Sequence, residues 1–443
     1  MHDPRRIRDV SRALAAAFLA GDWTPAGLRT RGRQALRPAP RWVGGLAQRT
    51  LVAHPHPPHD APRALAAFIA ADLRTTLRPP ASLPHVRRMF LPAGAMGRAP
   101  WSVPPLDTVA DLGALLGLGA GELAWLADAR GWERHAVGPR VRNYRYAWVA
   151  RPDAPVRLLE QPKARLKAVQ RRVLHEILDW IPAHPAAHGF VAGRSVHSHA
   201  AAHVGAPVVL RFDMEDFFAS VVAGRVFGVL RTAGYPEAVA HALTGLTTNV
   251  VAAEAWAQIP APRAPEQRHA HARLGRRLAT PHLPQGAPTS PMLANLCAFT
   301  LDRRMAGLAR ALGATYTRYA DDLVLSGSRG LAAAAPELAR TVAAIAAGEG
   351  LRLNARKTTV MTRAARQQVT GVVVNVRPNV PRDDYDRLKA ILHNAARHGP
   401  DTQNREGVED FRAHLLGRIA WVAALHPVRG ARLRARLDAI DWT

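Results

Sequence analysis

Read by the period of its apolar positions, the chain changes texture near Tyr144. Before that point, residues 1–35 and 63–77 carry apolar side chains at the three- and four-residue intervals of amphipathic helices. Residues 36–62, rich in Pro, Gly and His, predict a linker or loop, and a Pro-rich irregular span reaches to about residue 106. In 107–132, DTVADLGALLGLGAGELAWLADARGW, two helical runs flank a Gly-containing turn. YRYAWVA (144–150) and VRLLEQ (156–161) then predict a hairpin around RPDAP, followed by an amphipathic helix over 164–181 with Lys and Arg on one side. APVVLRFD (206–213) is an apolar run ending in an acid, the pattern of a buried strand. ATYTRY and LVLSGS form a second hairpin around Asp321–Asp322; LAAAAPELARTVAAIAAGEG is a helix stopped by glycine, and LRLNARKTTVM returns to strand. The tail, 381–443, reads as basic helices broken at HGPDT, and no fixed-period repeat is present.

Composition sharpens this. At 443 residues the chain has room for one large core and smaller appended parts. No uncharged apolar run reaches the roughly eighteen residues of a membrane span. The amino-terminal segment carries an acid and helical spacing, unlike a secretion signal. A cytoplasmic protein without a membrane partner is the expectation. Sixty Lys and Arg face thirty-four Asp and Glu, for a net charge of +26. Genome bias explains Arg in place of Lys, but not so large an excess of bases over acids. A polyanion partner, bound in a salt-sensitive way, is the reading that fits. The single cysteine, Cys297, excludes an internal disulfide and reads as a buried apolar residue. His54, His56 and His59 sit among prolines, without a partner at metal-ligand spacing, and read as a loop.

The candidate chemistry lies in three acids: Asp213 at a strand end, with Asp321 and Asp322 at a hairpin tip. Phosphoryl transfer needs charge neutralised on both the attacking and the leaving oxygen, which two metal ions about 3.5–4 Å apart accomplish. Magnesium takes such oxygen ligands from a few carboxylates, phosphate and water. Adjacent aspartates otherwise repel and raise one another's pKa. An acid-rich turn is the plain alternative for the pair taken by itself.

The surrounding sequence changes that balance. Tyr319-Ala320-Asp321-Asp322 resembles the catalytic box of reverse transcriptases, and RFDMEDFF (211–218) resembles their first carboxylate motif. LPQGAPTSPMLANL (283–296) is similar to their loop-and-helix motif at the incoming nucleotide, and LRLNARKTTVM (351–361) to the motif carrying a lysine near the triphosphate. The motifs stand in family order, and the resemblance spans roughly residues 107–440. It implies an α+β, right-hand polymerase: fingers, a palm of antiparallel sheet with helices, and a small helical thumb, plus a mainly helical N-terminal extension. The implied divisions are 1–106 for the extension, 107–375 for fingers and palm, and 376–443 for the thumb.

Residue by residue, the resemblance implies that Asp213 and Asp321 bind both metal ions, with Asp322 as a supporting ligand and a backbone carbonyl of Phe212 or Met214 assisting. The ions would be Mg2+, with Mn2+ as a substitute. Lys357 would serve the leaving pyrophosphate; its plain alternative is an ordinary strand-end lysine. Phe218, five residues after Asp213, falls where the family blocks a ribose 2′-hydroxyl, whereas Phe217 reads as core. Gln285 and Gly286 would line the nucleotide site, the glycine allowing close backbone approach. Arg151 and Arg157 on the hairpin would grip the triphosphate, although the family often has lysine at the first. Arg165, Lys167, Arg171 and Arg172 form a basic helix face, a template track or a solvated surface.

Within the family the chain is similar to retron enzymes. Val369-Thr370-Gly371 matches a tripeptide typical of them. In HAAAHVG (199–205), Ala200 and His203 fit the retron pattern while His199 replaces its Asn, a partial match. HGFVAGRSVHSHA resembles the template-contacting segment, with Arg194 and Ser195, like His203, expected at the RNA. The implied partners are a structured non-coding RNA serving as template and primer, the RNA–DNA hybrid product, deoxynucleoside triphosphates and an effector protein. The implied product is RNA-linked single-stranded DNA (msDNA) within an anti-phage defence system. Residues 1–106 receive no role, and the Arg- and His-rich insertion at 261–282 is an RNA contact or a surface loop. The rival readings are a non-retron bacterial reverse transcriptase, intron-type or defence-associated, and a non-catalytic RNA-binding scaffold.

Overall fold

A computed structural model describes residues 4–442 apart from 77–82, 91–94, 136–137, 139, 152–153, 260–261 and 263. The chain divides into two compact units, Met1–Ile181 with Val222–Ser290, and Pro182–Val221 with Pro291–Thr443.

The first unit opens with helices Pro4–Leu19, Pro25–Ala35, Val43–Ala53 and Pro62–Thr76. Their apolar faces close on one core that includes Val10, Leu14, Phe18, Leu28, Leu46, Leu65, Ile69 and Leu73. Residues 1–35 are thus two helices rather than one. The hydroxyl of Thr24 caps the second by accepting from Gly27 N, with Pro25 at the first helical position. Helix Val43–Ala53 lies where a loop was expected. Val43, Leu46, Ala47 and Thr50 are buried at helical spacing, and tertiary packing overrides the weak propensity of Gly44 and Gly45. Strands β1 (Leu36–Arg37) and β2 (His85–Val86) form a short antiparallel ribbon beside these helices. Helices Val109–Leu116 and Ala120–Leu126 follow, separated at Gly117, which has a left-handed backbone.

The basic hairpin comprises β3 (Tyr144–Arg151) and β4 (Ala154–Pro162), paired from Tyr144↔Pro162 to Arg151↔Ala154. The Arg151 side chain and the turn residues Pro152 and Asp153 lie outside the described residues. The following helix stops at Glu176, short of the predicted 181, and a 3-10 turn over Leu178–Trp180 takes its place. The 261–282 insertion is mostly helix, Pro265–Leu278, rather than loop, and ends at a fully buried His282.

The second unit is built on a four-stranded antiparallel sheet in the order β6-β7-β5-β8. Its strands are β5 (Val208–Asp213), β6 (Thr315–Tyr319), β7 (Asp322–Gly327) and β8 (Thr359–Thr362). β5 lies between β7 and β8, so its apolar residues Val208, Val209, Leu210 and Phe212 are buried while Arg211 stays half-exposed. LRLNARKTTVM is only partly strand, because Ala355–Lys357 form a 3-10 turn before β8. A two-residue hairpin joins β9 (Gln368–Val369) and β10 (Val372–Val373), turning on Thr370 (φ +46°) and Gly371 (φ +85°). Two positive φ values are what such tight hairpins require. The tail helices Arg382–His398, Phe411–Leu425 and Pro427–Asp438 share a separate core including Leu388, Leu392, Leu415, Ile419, Leu433 and Leu437. Cys297 is buried. Among the described residues no single helix is long and apolar enough to cross a membrane.

Phe18 is fully buried at the centre of the amino-terminal core. Phe18→Ala is expected to cost about 3–5 kcal/mol. The check is hydrogen exchange, in which the amides of the first four helices lose protection before those of the sheet.

Candidate active site

The register of the central strands carries the site. β5 pairs with β7 from Val208↔Gly327 to Asp213↔Asp322, so the last residue of one strand faces the first of the other. Directly opposed antiparallel residues have Cα atoms about 4.5–5.5 Å apart. Both acids are largely buried, Asp213 at 7% and Asp322 at 5% exposure. Burial pushes the Asp322 carboxyl up to about 6; Arg211 opposes the shift, and the charges of Asp321 and Asp213 add to it.

Two side-chain cations hold this pair. Arg211 lies on the same strand face as Asp213, and its Nε donates to Asp322 Oδ1 at 2.6 Å. Lys357, exposed at the end of the turn before β8, donates from Nζ to Asp213 Oδ1 at 3.1 Å. The hydroxyl of Thr370, the middle residue of the retron-like tripeptide, donates to Asp322 Oδ2 at 3.5 Å. Val369 beside it is buried with Val209 and Val324 beneath the sheet. Asp321 occupies the turn, and its carbonyl accepts from Met214 N at 2.9 Å. Phe212 and Met214 stand opposite Leu323 and Leu353. The structure thus brings Asp213 and Asp322 face to face, with Asp321 adjoining. Among the described residues no three His, Cys, Asp or Glu side chains are gathered as a ligand set for one ion. The carboxylate oxygens are of the kind a hard divalent cation takes, and here side-chain cations neutralise them.

The turn Ala320–Asp321 is held from beneath. Ala320 has φ +53°, a left-handed conformation that costs a non-glycine residue on the order of 1–3 kcal/mol. Arg318, fully buried, fixes it. Its Nη1 donates to the Ala320 carbonyl and to Asn295 Oδ1, each at 3.0 Å. Its Nε and Nη2 fork onto Asp302 at 2.7 and 2.6 Å, and Tyr316 donates to the same acid at 2.8 Å. At Gly189 a Cβ atom would come within 2.8 Å of Ala320 N, so this neighbour must be glycine. Arg318 and its partners escaped the sequence reading; an arginine just before the tyrosine of the box gave the only signal.

Other expected site residues stand elsewhere than foreseen. His203 is fully buried, with its ring nitrogens on the hydroxyls of Ser326 (2.7 Å) and Thr317 (2.7 Å). It braces β6 and β7 and is closed to RNA, a correction that follows from its apolar neighbours Ala200 and Val204. Burial lowers its pKa to about 4, and that of His199 to about 3. Arg194 is spent internally on the Pro185 carbonyl and on His188 Nε2. Ser195 is exposed and caps the helix Val196–Ala201 in a box with Ser198. Phe218 is half-buried beside the buried Phe217.

In the first unit, Arg157, Arg165, Lys167, Arg171 and Arg172 are exposed, and Arg165 pairs with Glu122 at 2.6 Å. Gly286 has φ +132°, and a Cβ there would lie 2.9 Å from the Glu160 carbonyl; the close approach it permits is to β4. The Gln285 carbonyl accepts from Glu160 N at 2.8 Å. Glu160 in turn holds His282 Nε2 (2.9 Å) and Asn249 Nδ2 (2.7 Å), a buried network with no sequence signature. Burial works to lower the His282 pKa, but the Glu160 charge and hydrogen bond hold it above the ordinary histidine value.

Opposed acids at a strand end beside an acidic turn offer the oxygen ligands that two-metal phosphoryl transfer draws on. The family described as reverse transcriptase (RNA-dependent DNA polymerase) matches residues 150–384. The retron Mx65 reverse transcriptase of Myxococcus xanthus is 42% identical over 342 residues, covering 76% of this chain and 73% of that protein. The retron Mx162 enzyme of the same organism is 36% identical over 358 residues (76% and 68%), and the retron Ec86 enzyme of Escherichia coli 34% over 249 (55% and 66%). The chain therefore belongs to the reverse transcriptases, RNA-directed DNA polymerases, and among them to the retron enzymes.

Two outcomes follow. Arg318→Met leaves Asp302 buried and uncompensated, and is expected to destabilise the protein by about 3–5 kcal/mol in urea denaturation. The double variant Arg318→Met with Asp302→Leu regains much of that stability but not the polymerisation rate, because the Ala320 carbonyl is still unheld. As for pH, the unfolded chain takes up protons near pH 6.5 that the folded unit refuses at His199 and His203 down to about 3 and 4. Stability is therefore present above about pH 6.5 and lost as pH falls below it. Denaturation midpoints at pH 7.5 and 5 measure this slope, and His203→Gln is expected to flatten it.

Proposed function

We propose that this protein copies a structured non-coding RNA into RNA-linked single-stranded DNA, with that RNA serving as template and primer, in a retron that defends its host against phage. The opposed pair Asp213–Asp322, stabilised by Arg211 and Lys357, is the observation that carries the polymerase reading. The similarity to the named retron enzymes and the fit of Val369-Thr370-Gly371 against Asp322 support the retron reading.

In this reading the four-stranded sheet is the palm, the basic hairpin belongs to the fingers, and the three tail helices are the thumb. The divisions at about residues 106 and 375 remain those read from the chain. Asp213, Asp321 and Asp322 hold two Mg2+ ions, or Mn2+ in their place, which supply the charge neutralisation that phosphoryl transfer needs. Until then Arg211 and Lys357 hold the carboxylates of Asp322 and Asp213 in place. Lys357, bonded to Asp213 and otherwise exposed, offers its ammonium to the leaving pyrophosphate. Phe218, half-buried beside Phe217, blocks a ribose 2′-hydroxyl and selects deoxynucleoside triphosphates. Arg157, with Arg151, grips the triphosphate, and Gln285 and Gly286 form the floor of its site. Arg165, Lys167, Arg171 and Arg172 track the template backbone, and Arg194 and Ser195 border it. The RNA–DNA hybrid is the product, an effector protein the further partner, and the cytoplasm the place of work.

Asp322→Asn is expected to lower cDNA synthesis on an RNA template with a DNA primer by about 10³-fold or more, the scale of losing several kcal/mol of transition-state stabilisation. RNA affinity, measured by filter binding, is expected to stay within about twofold. Synthesis at the wild-type rate would end the polymerase reading.

A further inference from the structure

The amino-terminal helices close on a core of their own. Residues 1–106 contain sixteen arginines and five aspartates, with neither lysine nor glutamate. Some of these arginines are consumed by the fold. Arg49 pairs with Asp72 at 2.6 Å, Arg63 lies 3.6 Å from Glu237, and Arg31 donates to the carbonyls of Ala17 and Phe18. The arginines at the β1–β2 ribbon are not.

The ribbon pairs Leu36↔Val86 and Arg37↔His85, and Arg87 N extends it by donating to the Ala35 carbonyl at 2.7 Å. Side chains alternate along a strand, so Arg37, His85 and Arg87 share one face, while Leu36 opposite them is buried. Arg6, from the first helix, reaches the His85 ring at 2.9 Å, and Arg88 stacks over Phe90 at 4.8 Å. Arg37, Arg87 and Arg88 are exposed, and none has a carboxylate partner among the described residues. Placing like charges side by side on a two-stranded ribbon is unfavourable in the free protein. An anionic ligand relieves that repulsion.

We propose that this ribbon is a second RNA site, taking the phosphate backbone of a structured segment of the RNA outside the template–primer duplex. Guanidinium forks suit phosphate oxygens. The Arg88–Phe90 pair adds a flat surface of the kind on which an unpaired base stacks. The inference extends the RNA partner proposed above and rests on it.

The test uses the full chain with Arg37→Gln, Arg87→Gln and Arg88→Gln combined, and a matching Arg→Lys triple. Two readouts are taken: filter binding of a long hairpin RNA across salt concentrations, and extension of a short homopolymer RNA template with a DNA primer. The glutamine triple is expected to bind the hairpin about tenfold or more weaker, with the slope of log affinity against log salt reduced by two to three contacts' worth, roughly 0.7–0.9 each. The lysine triple is expected to keep most of the salt slope, and short-duplex extension to stay at wild-type rate in both. Wild-type hairpin affinity and slope in the glutamine triple overturn the proposal. Equal loss on hairpin and short duplex also overturns it, because the ribbon would then serve no separate segment. If the wild-type chain itself fails to extend the short duplex, the polymerase reading falls instead.

Discussion

Everything at the site depends on the pairing of β5 with β7 in a single register. A strand's side chains alternate between faces, so a slip of one residue would turn Asp213 to the opposite face and bring Asp321 across from it. The register is guarded at both ends. Apolar residues of β5 and β7 fill the sheet's interior, and at the acidic end Arg211 bonds Asp322 diagonally. The opposed acids repel, and their proximity is paid for by this guanidinium and by Lys357.

The turn that presents Asp321 is equally constrained, and from beneath. A two-residue hairpin with a positive φ at its first position favours glycine there, yet the residue is Ala320. A strained alanine persists when its surroundings over-determine it. The Arg318–Asp302 pair does so, with both side chains at zero exposure and every guanidinium nitrogen engaged. Such a pair contributes little net stability once desolvation is counted. Its role is geometric, since it fixes where the Ala320 carbonyl lies. Segment 186–189 completes the arrangement along the edge of β6, where Arg318 N donates to the Ala186 carbonyl and His188 N to that of Arg318.

The sequence made the elements of this site legible because short-range rules govern them. An apolar run ending in Asp213, alternation on both sides of Asp321–Asp322, and glycines at helix ends each have a local cause. What stayed hidden is non-local. Helix Val43–Ala53 carries two glycines and forms because neighbouring helices bury one of its faces. His203 was placed at the RNA by its match to the retron pattern, but Ser326 and Thr317, far off in sequence, make it a buried brace. Gly286 was recognised as a point of close approach, but the backbone that comes close is Glu160's. Glu160, His282 and Asn249 sit in unrelated stretches, and only the fold makes them one network.

Charge placement gives these parts a common logic. The excess of basic residues is borne by exposed positions on helices with cores of their own, such as Arg12 and Arg33 near the amino terminus and Arg387, Arg432 and Arg436 in the tail. The acids at the centre of the sheet are buried and individually matched. Exposed charges separated by more than about 8 Å are largely screened at physiological salt, whereas buried pairs are screened much less. Grip on a polyanion should therefore weaken steeply as salt rises, while the fully buried Arg318–Asp302 pair beneath the acidic turn persists. Holding the nucleic acid and fixing the acidic turn are thus physically separable tasks in one chain.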